Sequence, residues 1–416
     1  MKHLLMAPIV LALAVLWQAV AWAGDGSGGV LYALRDDVKS SAVKALNSGD
    51  YDAGVAILEK ATSDDRFDTE AKELLAFAYR SRGWAGVSRE DFEAAYSDFR
   101  MAKLVETEKD ANTYLGLGYS AFRLRKYDDA LYYLDEAGYL DPDDGRGHQL
   151  KGEIYYQRGR LDDAVREWED ALKALPDDEG LRARLAKAKK ELGVEGGFTN
   201  RQSFSFNIKY EGEEKRELGD EVMRILEEAS SNVGGDLGYY PRESVTVILY
   251  TRQQFNDVTQ APDWSGGIYD GTVRIPVGGT HINRDALALV LHHEYTHAVV
   301  HMMAGSGVPT WLNEGIAQYE ERWVREQESD LGYNKPVPLS SLNGSFLGMD
   351  GGDQVGLAYA QSLSVVEFYI SRYGMYSLSE LLGGLGEGKG IEDAFQDVTG
   401  SSLASFEYSW RVNLGR

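Results

Sequence analysis

An internal repeat of 34 residues restricts the fold of this chain more than any other feature of its sequence. Residues 112–145 and 146–179 can be laid over each other without a gap. The matched positions are small, bulky or proline in both units: Gly118 and Gly152, Ala130 and Ala164, Ala137 and Ala171, Tyr127 and Leu161, Leu134 and Trp168, Pro142 and Pro176. Small residues let two helices cross closely, bulky residues fill the space between them, and proline ends a helix. The spacing therefore predicts two stacked helix pairs.

These matched positions resemble the tetratricopeptide repeat family. The pattern of the second helix recurs upstream with less regular spacing, as Phe92, Ala95, Phe99 and Ala102 and as Tyr51, Gly54, Leu58 and Ala61. Lys151 stands where the family usually has an apolar residue. Residues 180–193 are rich in Lys, Arg, Ala and Leu and predict the polar cap helix that the end of a solenoid requires. We expect a repeat domain at residues 30–195, with three to four repeats and this cap helix.

The hydrophobic period changes after residue 200. Alternating apolar residues predict a strand at 203–210, and short apolar runs predict strands at 245–250 and 271–277. The helix between the first two carries Val222, Ile225, Leu226 and Ala229. We therefore predict an α + β protein, with an N-terminal all-α solenoid and a mixed α/β domain at residues 200–416. Few contacts are expected across the Gly196-Gly197 junction, so residues from about 200 onward should fold without the repeats.

Five of the seven histidines lie between His281 and His301. Within this cluster, His293-Glu294-Tyr295-Thr296-His297 has the form HExxH, on a segment without Gly or Pro that predicts a helix at residues 284–303. Two histidines four residues apart share one helix face and can bind one tetrahedral ion, and Glu294 can reach the metal's water without being a ligand. A buried helix with incidental histidines is the alternative, so the surrounding sequence must decide.

A catalytic zinc site needs a third protein ligand and one open position. Met303 occupies the place where metzincins have a third histidine, which excludes that subclass. A glutamate on a following helix is the remaining usual ligand, and Glu314 lies 17 residues after His297. A turn with Ser306, Gly307 and Pro309 separates the two helices. We predict one Zn²⁺ per chain, bound by His293, His297 and Glu314.

The segment Trp311-Leu312-Asn313-Glu314-Gly315-Ile316-Ala317 is similar to the WLNEGxA motif, which gives the third zinc ligand in neutral aminopeptidases and their gluzincin relatives. Residues 202–416 resemble the peptidase MA-like domain that often follows tetratricopeptide repeats in exported bacterial proteins. Two features depart from known relatives. The exopeptidase motif GxMEN is absent, with residues 266–271 in roughly its place, and Gln318 replaces the aspartate that orients a histidine in thermolysin-like enzymes. Aminopeptidase activity is therefore in doubt, and another residue must orient the ligand.

The resemblance implies peptide-bond hydrolysis, with Glu294 as the base that takes a proton from water and delivers it to the leaving amine. Gluzincins often stabilise the oxyanion with a Tyr or His on a later helix. Tyr359 is the candidate, with core packing as the alternative. The strand at 271–277 would lie beside the active-site helix and could pair with an extended substrate. Among the other histidines, His301 either supports the site or only packs, His292 is structural, and His281 could approach a substrate.

The first residues predict export. Lys2 precedes an apolar run from Leu4 to Val20, and small residues then form a cleavage site, which predicts a signal peptide at 1–23. An uncleaved anchor is the alternative, because about 17 apolar residues is the lower limit for a spanning helix. The chain has no cysteine, which leaves His and carboxylates as strong metal ligands, and its net charge of −23 argues against nucleic acid or anionic membrane surfaces as partners. We expect a periplasmic or secreted bacterial protein with no membrane span after cleavage.

Two functions from different classes fit this sequence. The first is an exported zinc endopeptidase that cleaves peptides or proteins and whose repeats recruit a substrate or protein partner. The second is an envelope scaffold of repeats with a catalytically silent, peptidase-like binding domain. The intact ligand set together with Glu294 favours the first, because a pure binder gains nothing from a general base. The repeats could also block the active site until a partner displaces them, and the sequence does not separate recruitment from inhibition.

Overall fold

The computed structural model describes residues 36–212, 215–262, 265–277, 283–325, 331, 335–344, 346 and 352–415. The predicted signal peptide and His281 lie outside these residues. In the described part, the chain begins with the helices α1 Asp36–Asn47, α2 Tyr51–Asp64, α3 Thr69–Ser88, α4 Phe92–Val105, α5 Ala111–Arg123, α6 Tyr127–Leu140, α7 Gly145–Gln157, α8 Leu161–Ala174 and α9 Glu179–Glu195. Among the described residues, we find no helix with both the length and the apolar character needed to cross a membrane.

The described residues divide into two compact units. One contains the described parts of Met1–Ser88 and Glu93–Gly116, and the other contains Arg89–Phe92 and the described parts of Leu117–Arg416. In the first unit, the ring of Phe99 fills the space beside Gly83 and Gly116, where an added Cβ would overlap it. The carboxylate of Glu106 is buried in the same unit, 3.8 Å from Nη1 of Arg80.

The second unit contains the end of α5 from Leu117 onward together with α6, α7 and α8, all of them helices that the 34-residue repeat predicted. Leu134 packs on Gly118, and Trp168 packs so closely on Gly152 that a Cβ there would overlap its ring. The small and bulky positions of the repeat predicted these close helix crossings. Lys151 is accommodated in the stack, because its ammonium lies 2.7 Å from Oδ1 of Asp135 and 3.0 Å from Oε1 of Glu167. An ion cluster replaces the usual apolar contact at this position.

A five-stranded sheet follows the repeats, in the order β1-β2-β3-β5-β4. Its strands are β1 Phe198–Gln202, β2 Phe206–Glu211, β3 Val245–Tyr250, β4 Ile268–Tyr269 and β5 Val273–Pro276. The pairs β2–β3 and β3–β5 are parallel, and β1–β2 and β4–β5 are antiparallel. The strand predicted at 203–210 begins too early, because Phe204 lies between β1 and β2 and is 90% exposed. The polar sequence of β1 gave no strand signal.

Helices cover one face of the sheet with an apolar core. α10 Arg216–Leu237 and α12 Arg284–Ala304 pack there against alternate residues of the central strands, namely Phe206, Ile208, Tyr210, Val245, Val247, Leu249, Val273 and Ile275. The remaining helices are α11 Arg252–Thr259, α13 Thr310–Glu320, α14 Gly352–Tyr373, α15 Met375–Gly386, α16 Ile391–Thr399 and α17 Leu403–Asn413. Of these, α13 to α17 contribute to the same core. The predicted helices at 284–303 and around Val222 are confirmed.

The opposite face of the sheet is covered by α11 and by the end of the repeats. Ile248 and Tyr250 pack against α11 and against Val194 of α9. Nζ of Lys209 donates a hydrogen bond over 2.6 Å to the carbonyl of Gly159, in the turn between α7 and α8. The expectation that few contacts cross the Gly196-Gly197 junction is therefore wrong. Because α10 and α12 cover only one face of the sheet, the second face needs a layer, and α9 supplies part of it rather than a solvated cap.

Candidate metal centre

Helix α12 carries the HExxH residues. It begins after Asn283, whose side chain accepts hydrogen bonds from the amides of Asp285 and Ala286, and it ends at Gly305, where φ is 68°. The side-chain cap satisfies two of the free amides that every helix N-terminus has, and glycine adopts the positive φ without strain. This long helix holds His293 and His297 one turn apart, as the spacing predicted.

Helix α13 brings Glu314 to the two histidines. A short 3-10 turn at Gly305–Gly307 reverses the chain between α12 and α13. Gly315, next to the predicted ligand, packs against the backbone carbonyl of Ser362 in α14, and an added Cβ would overlap that oxygen. Since no larger residue fits, the glycine of the WLNEG segment fixes how closely α13 approaches α14. Packing on α14 thus sets the position of Glu314.

The ligand atoms of His293, His297 and Glu314 all lie within 4.8 Å of one another. Oε2 of Glu314 is 3.3 Å from Nε2 of His293 and 3.4 Å from Nε2 of His297. The two Nε2 atoms are 3.1 Å apart. The three residues predicted as metal ligands therefore converge on one point in the structure.

The chemistry of these three residues fits a cation. Nδ1 of His293 is engaged by a carboxylate at 2.8 Å, so the proton of a neutral ring belongs on Nδ1 and leaves Nε2 with a lone pair. Oε2 of Glu314 is buried and faces the Nε2 atoms of both histidines. Lone pairs that face one another in a buried place are costly unless a positive charge lies among them. Two imidazole nitrogens and one carboxylate oxygen, with a position left for water, form the donor set of catalytic zinc.

Glu321 is the carboxylate that orients His293, and the sequence analysis did not identify it. Its Oε1 lies 2.8 Å from Nδ1 of His293, and it opens the 3-10 turn Glu321–Trp323 directly after α13. Gln318, at the place of the orienting aspartate in thermolysin-like enzymes, has a buried side-chain oxygen without a hydrogen-bond partner. The available signal was the spacing of seven residues from Glu314, which is two helical turns and returns to the same face.

Glu294 lies beside the three predicted ligands without joining them. Its side chain is buried, and its Oε2 has no hydrogen-bond partner. Burial raises the pKa of the Glu294 carboxyl, although the two histidines oppose this effect. A Cβ added to Gly267 would lie 2.8 Å from Cγ and 2.9 Å from Oε1 of Glu294. Glycine at the start of β4 therefore allows the backbone to come this close to the proposed base.

Electrostatics around the histidines favour positive charge. Burial disfavours the charged form of His293, but hydrogen bonds to Glu314 and Glu321 outweigh burial and raise its pKa. The pKa of His297 is also raised, where the charge and hydrogen bond of Glu314 overcome burial. The carboxylates that would stabilise imidazolium would equally stabilise a bound metal cation.

Tyr359, on α14, lies near the predicted metal ligands. Its ring centroid is 6.4 Å from that of His293 and 5.3 Å from that of Phe346. Burial raises the pKa of Tyr359, and the charges of Glu314, Glu294 and Glu321 add to this effect, so its hydroxyl keeps its proton at neutral pH. The structure places this residue at the site, and its role as oxyanion donor stays a prediction.

The other histidines of the cluster have packing roles where they are described. Nδ1 of His292 lies 2.9 Å from the carbonyl of Ala288 in the same helix, and the side chain is buried. The ring of His301 packs on Tyr269 of β4 with centroids 5.7 Å apart. Of the two interpretations left open for His301, the contact favours packing.

The predicted pairing of a substrate with residues 271–277 is contradicted at Val273 and Arg274, where β5 is an internal strand. It pairs with β3 on one side and with β4 on the other. A strand with both edges occupied has no free backbone groups to offer. The two-residue strand β4 ends the sheet on this side, and it follows Gly267, which contacts Glu294.

Comparisons with known proteins agree with both resemblances. A Peptidase MA superfamily profile matches residues 227–415, and a tetratricopeptide repeat profile matches residues 115–179. The expected α + β fold class is confirmed.

No curated protein matches this chain. Among solved structures, a thermophilic TPR protein of Thermus thermophilus is 24% identical over 37% of this chain and 97% of its own, with a TM-score of 0.24. MamA of AMB-1 is 20% identical over 38% of this chain and 81% of its own, with a TM-score of 0.30.

Proposed function

We propose that this chain, which carries a Peptidase MA superfamily domain behind tetratricopeptide repeats, is an exported zinc-dependent endopeptidase. The observation that carries the proposal is the convergence of His293, His297 and Glu314 with buried Glu294 beside them. A metal-binding scaffold would need the three ligands but not a base beside them. The repeats suggest a protein partner or a protein substrate.

In the proposed reaction, His293, His297 and Glu314 hold the metal, and Glu321 fixes the orientation of the His293 ring. When bound at these residues, zinc would supply Lewis acidity toward the peptide carbonyl and the attacking water. Glu294 accepts a proton from the attacking water and delivers it to the leaving amine. Its raised pKa suits a group that must both take and give this proton. The Tyr359 hydroxyl donates a hydrogen bond to the developing oxyanion.

Cleavage inside a chain fits the geometry around Gly267. An extended peptide can pair with the outer edge of β4 by main-chain hydrogen bonds, which do not depend on the side chains of the substrate. The motif that captures a substrate amino terminus in aminopeptidases is absent, and Gly266 and Gly267 stand in roughly its place. We therefore expect a peptide to continue past the site in both directions.

Export and compartment belong to the same proposal. Residues 1–23, outside the described part of the chain, have the pattern of a signal peptide. A chain without cysteine needs no particular redox compartment, and a metal site of His and Glu alone is compatible with an oxidising one. We expect the mature protein in the periplasm or the medium.

The test combines metal analysis of the purified mature protein with cleavage of casein and of a peptide library, with and without a chelator. We expect about one zinc per chain, cleavage within peptides rather than from their ends, and loss of both on chelation. The His297→Ala protein should lose the metal, because one of three protein ligands is gone. A protein that binds zinc but cleaves no member of the library would contradict the proposal.

A further inference from the structure

Arg274 of β5 lies in a buried cluster that joins the repeats to the sheet. Its side chain is 2% exposed. Nη2 lies 3.3 Å from Glu191 and Nη1 lies 3.4 Å from Glu195, both on α9, and Nη1 donates a hydrogen bond over 2.7 Å to the hydroxyl of Tyr250. Nε donates over 3.1 Å to Asp270, in the turn between β4 and β5. A single guanidinium thus contacts the last helix of the repeats, the centre of the sheet and the edge hairpin.

Two lysines complete this group, which we call the Arg274 cluster. Lys187 lies 2.8 Å from Asp270, and Lys209 lies 3.7 Å from Glu195. With Glu191 the group has three carboxylates and three cations. Of these charges, Arg274, Glu191 and Glu195 are buried. Buried charges are tolerated only in a geometry that pairs them, and the loss of one partner leaves another charge uncompensated. The Arg274 cluster therefore fixes the position of β4 and β5 relative to α9 more strictly than apolar contacts would.

The hairpin held by this cluster is the one that contacts the proposed base. In the β4–β5 pairing, Arg274 stands opposite Ile268. The residue before Ile268 is Gly267, whose added Cβ would lie 2.9 Å from Oε1 of Glu294. Asp270 binds Arg274 at the other end of β4. A displacement of Arg274 would therefore move the strand along which we expect the substrate to pair.

We infer that Arg274 is a positioning residue through which the repeat helix α9 holds the substrate-binding edge β4 in place beside Glu294. This inference rests on the proposed function for its effect on peptide binding, but its effect on β4 itself is independent of any activity. The repeats contribute to the active site through structure as well as through recruitment. A substitution of Glu191 in α9 therefore displaces β4 as a substitution of Arg274 does, although Glu191 belongs to another element.

The test compares wild-type protein with the full-length variants Arg274→Gln and Glu191→Gln. The second is the milder change, because glutamine keeps the size of Glu191 and an oxygen for the hydroxyl of Tyr156, which donates to it over 2.8 Å. The matched control is Glu106→Gln in the other compact unit, where a buried glutamate also pairs with an arginine and accepts a hydrogen bond from a hydroxyl, that of Thr113.

Hydrogen exchange is measured first, because it needs no substrate. We expect amides of residues 265–277 to exchange at least about 10-fold faster in Arg274→Gln and Glu191→Gln than in wild type, while amides of α10 exchange at the wild-type rate. In the control variant Glu106→Gln, the amides of residues 265–277 should also exchange at the wild-type rate. Unchanged exchange at 265–277 in both variants would overturn the inference. So would an equal increase throughout α10 and α12, since that is general destabilisation.

The kinetic readout separates positioning from general damage. For a peptide of about ten residues, long enough to pair with β4, we expect KM to rise by about 3- to 10-fold with kcat within about 2-fold of wild type. A fall in kcat without a change in KM would overturn the assignment of Arg274 to substrate positioning. If wild-type protein cleaves nothing, the proposed function fails, and the exchange measurement still decides whether Arg274 holds β4.

Discussion

Oε1 of Glu321 lies 2.8 Å from Nδ1 of His293, whereas Nε2, the nitrogen proposed to bind the metal, is the other nitrogen of the ring. Carboxylates in this position fix the tautomer and the orientation of a ligand, and their loss usually costs 10- to 100-fold in metal affinity. We expect Glu321→Ala to weaken zinc binding by about that factor without unfolding the protein. Competition with a chelator of known affinity measures the effect. Glu407→Ala, which breaks a helical ion pair with Arg411, is the control and should bind zinc as wild type does.

The Glu294→Gln variant distinguishes an enzyme from a scaffold. Glutamine keeps the size of the side chain and cannot accept the water proton, so we expect zinc content and folding to be retained and cleavage to fall by about 10²- to 10⁴-fold. Zinc analysis and cleavage assays on the same sample measure both. Full complementation of a deletion strain by Glu294→Gln would show that peptide hydrolysis is not the cellular function, while leaving the metal site intact.

Gly267→Ala tests the contact between β4 and the base. The new Cβ would lie 2.8 Å from Cγ of Glu294, so either β4 or the carboxylate must shift. Overpacking of this kind costs about 1–3 kcal/mol. We expect cleavage to fall by about 10-fold or more with zinc still bound. Gly235→Ala in α10, where a Cβ meets nothing within 4 Å, is the control, and equal losses in the two variants would contradict the contact as described.

The stability of the protein should fall as pH rises because of Glu320. Burial raises the pKa of this carboxyl to about 8, against the opposing charge of Arg322, and its Oε2 has no hydrogen-bond partner. The folded chain therefore holds a proton on Glu320 that the unfolded chain releases above a pH of about 4.5. The free energy of unfolding then decreases as the pH rises from about 4.5 to about 8. The slope is up to about 1.4 kcal/mol per pH unit. Denaturant unfolding of wild type and Glu320→Gln across this range measures the effect. Parallel pH profiles for the two proteins would contradict it.

Truncation tests whether the sheet needs the repeats. A fragment from residue 200 lacks α9 and the turn at Gly159, and so exposes Ile248, Tyr250 and Arg274 of the covered sheet face. We expect this fragment to lack cooperative unfolding, whereas a fragment from residue 124, which keeps α6 to α9, unfolds cooperatively. Thermal unfolding followed by near-ultraviolet circular dichroism compares the two. A cooperative transition in the shorter fragment would restore the boundary expected from the sequence.

The sequence predicted the parts of this site that depend on local spacing. His293 and His297 need only a regular helix to share a face, and Glu314 needs only a short turn and a second helix. The offset at which thermolysin-like relatives carry the orienting aspartate leads to Gln318 and not to Glu321, because this chain places its carboxylate in a 3-10 turn after the helix. The packing of Gly267 on Glu294 joins a strand to a helix, and no local pattern encodes it.

The role of α9 was misjudged for a related reason. Charged residues on a terminal repeat helix usually face water, so the Lys- and Arg-rich segment 180–193 was predicted to be a solvated cap, and Glu191 and Glu195 would then be exposed. Both are buried, and the cation that pairs with them, Arg274, lies in a distant part of the sequence. A charged residue on a helix predicts a solvent-exposed face only when no other element supplies the opposite charge.

The Arg274 cluster also bears on the order in which the chain folds. Glu195 and Arg274 are 79 residues apart, so α9 is synthesised well before β5 exists. During that interval Glu191 and Glu195 keep one side of α9 charged and hydrated. An unfinished chain therefore does not present there the kind of apolar stripe that drives aggregation of folding intermediates. We therefore expect the repeats to stay soluble until β5 is available and α9 packs on the sheet.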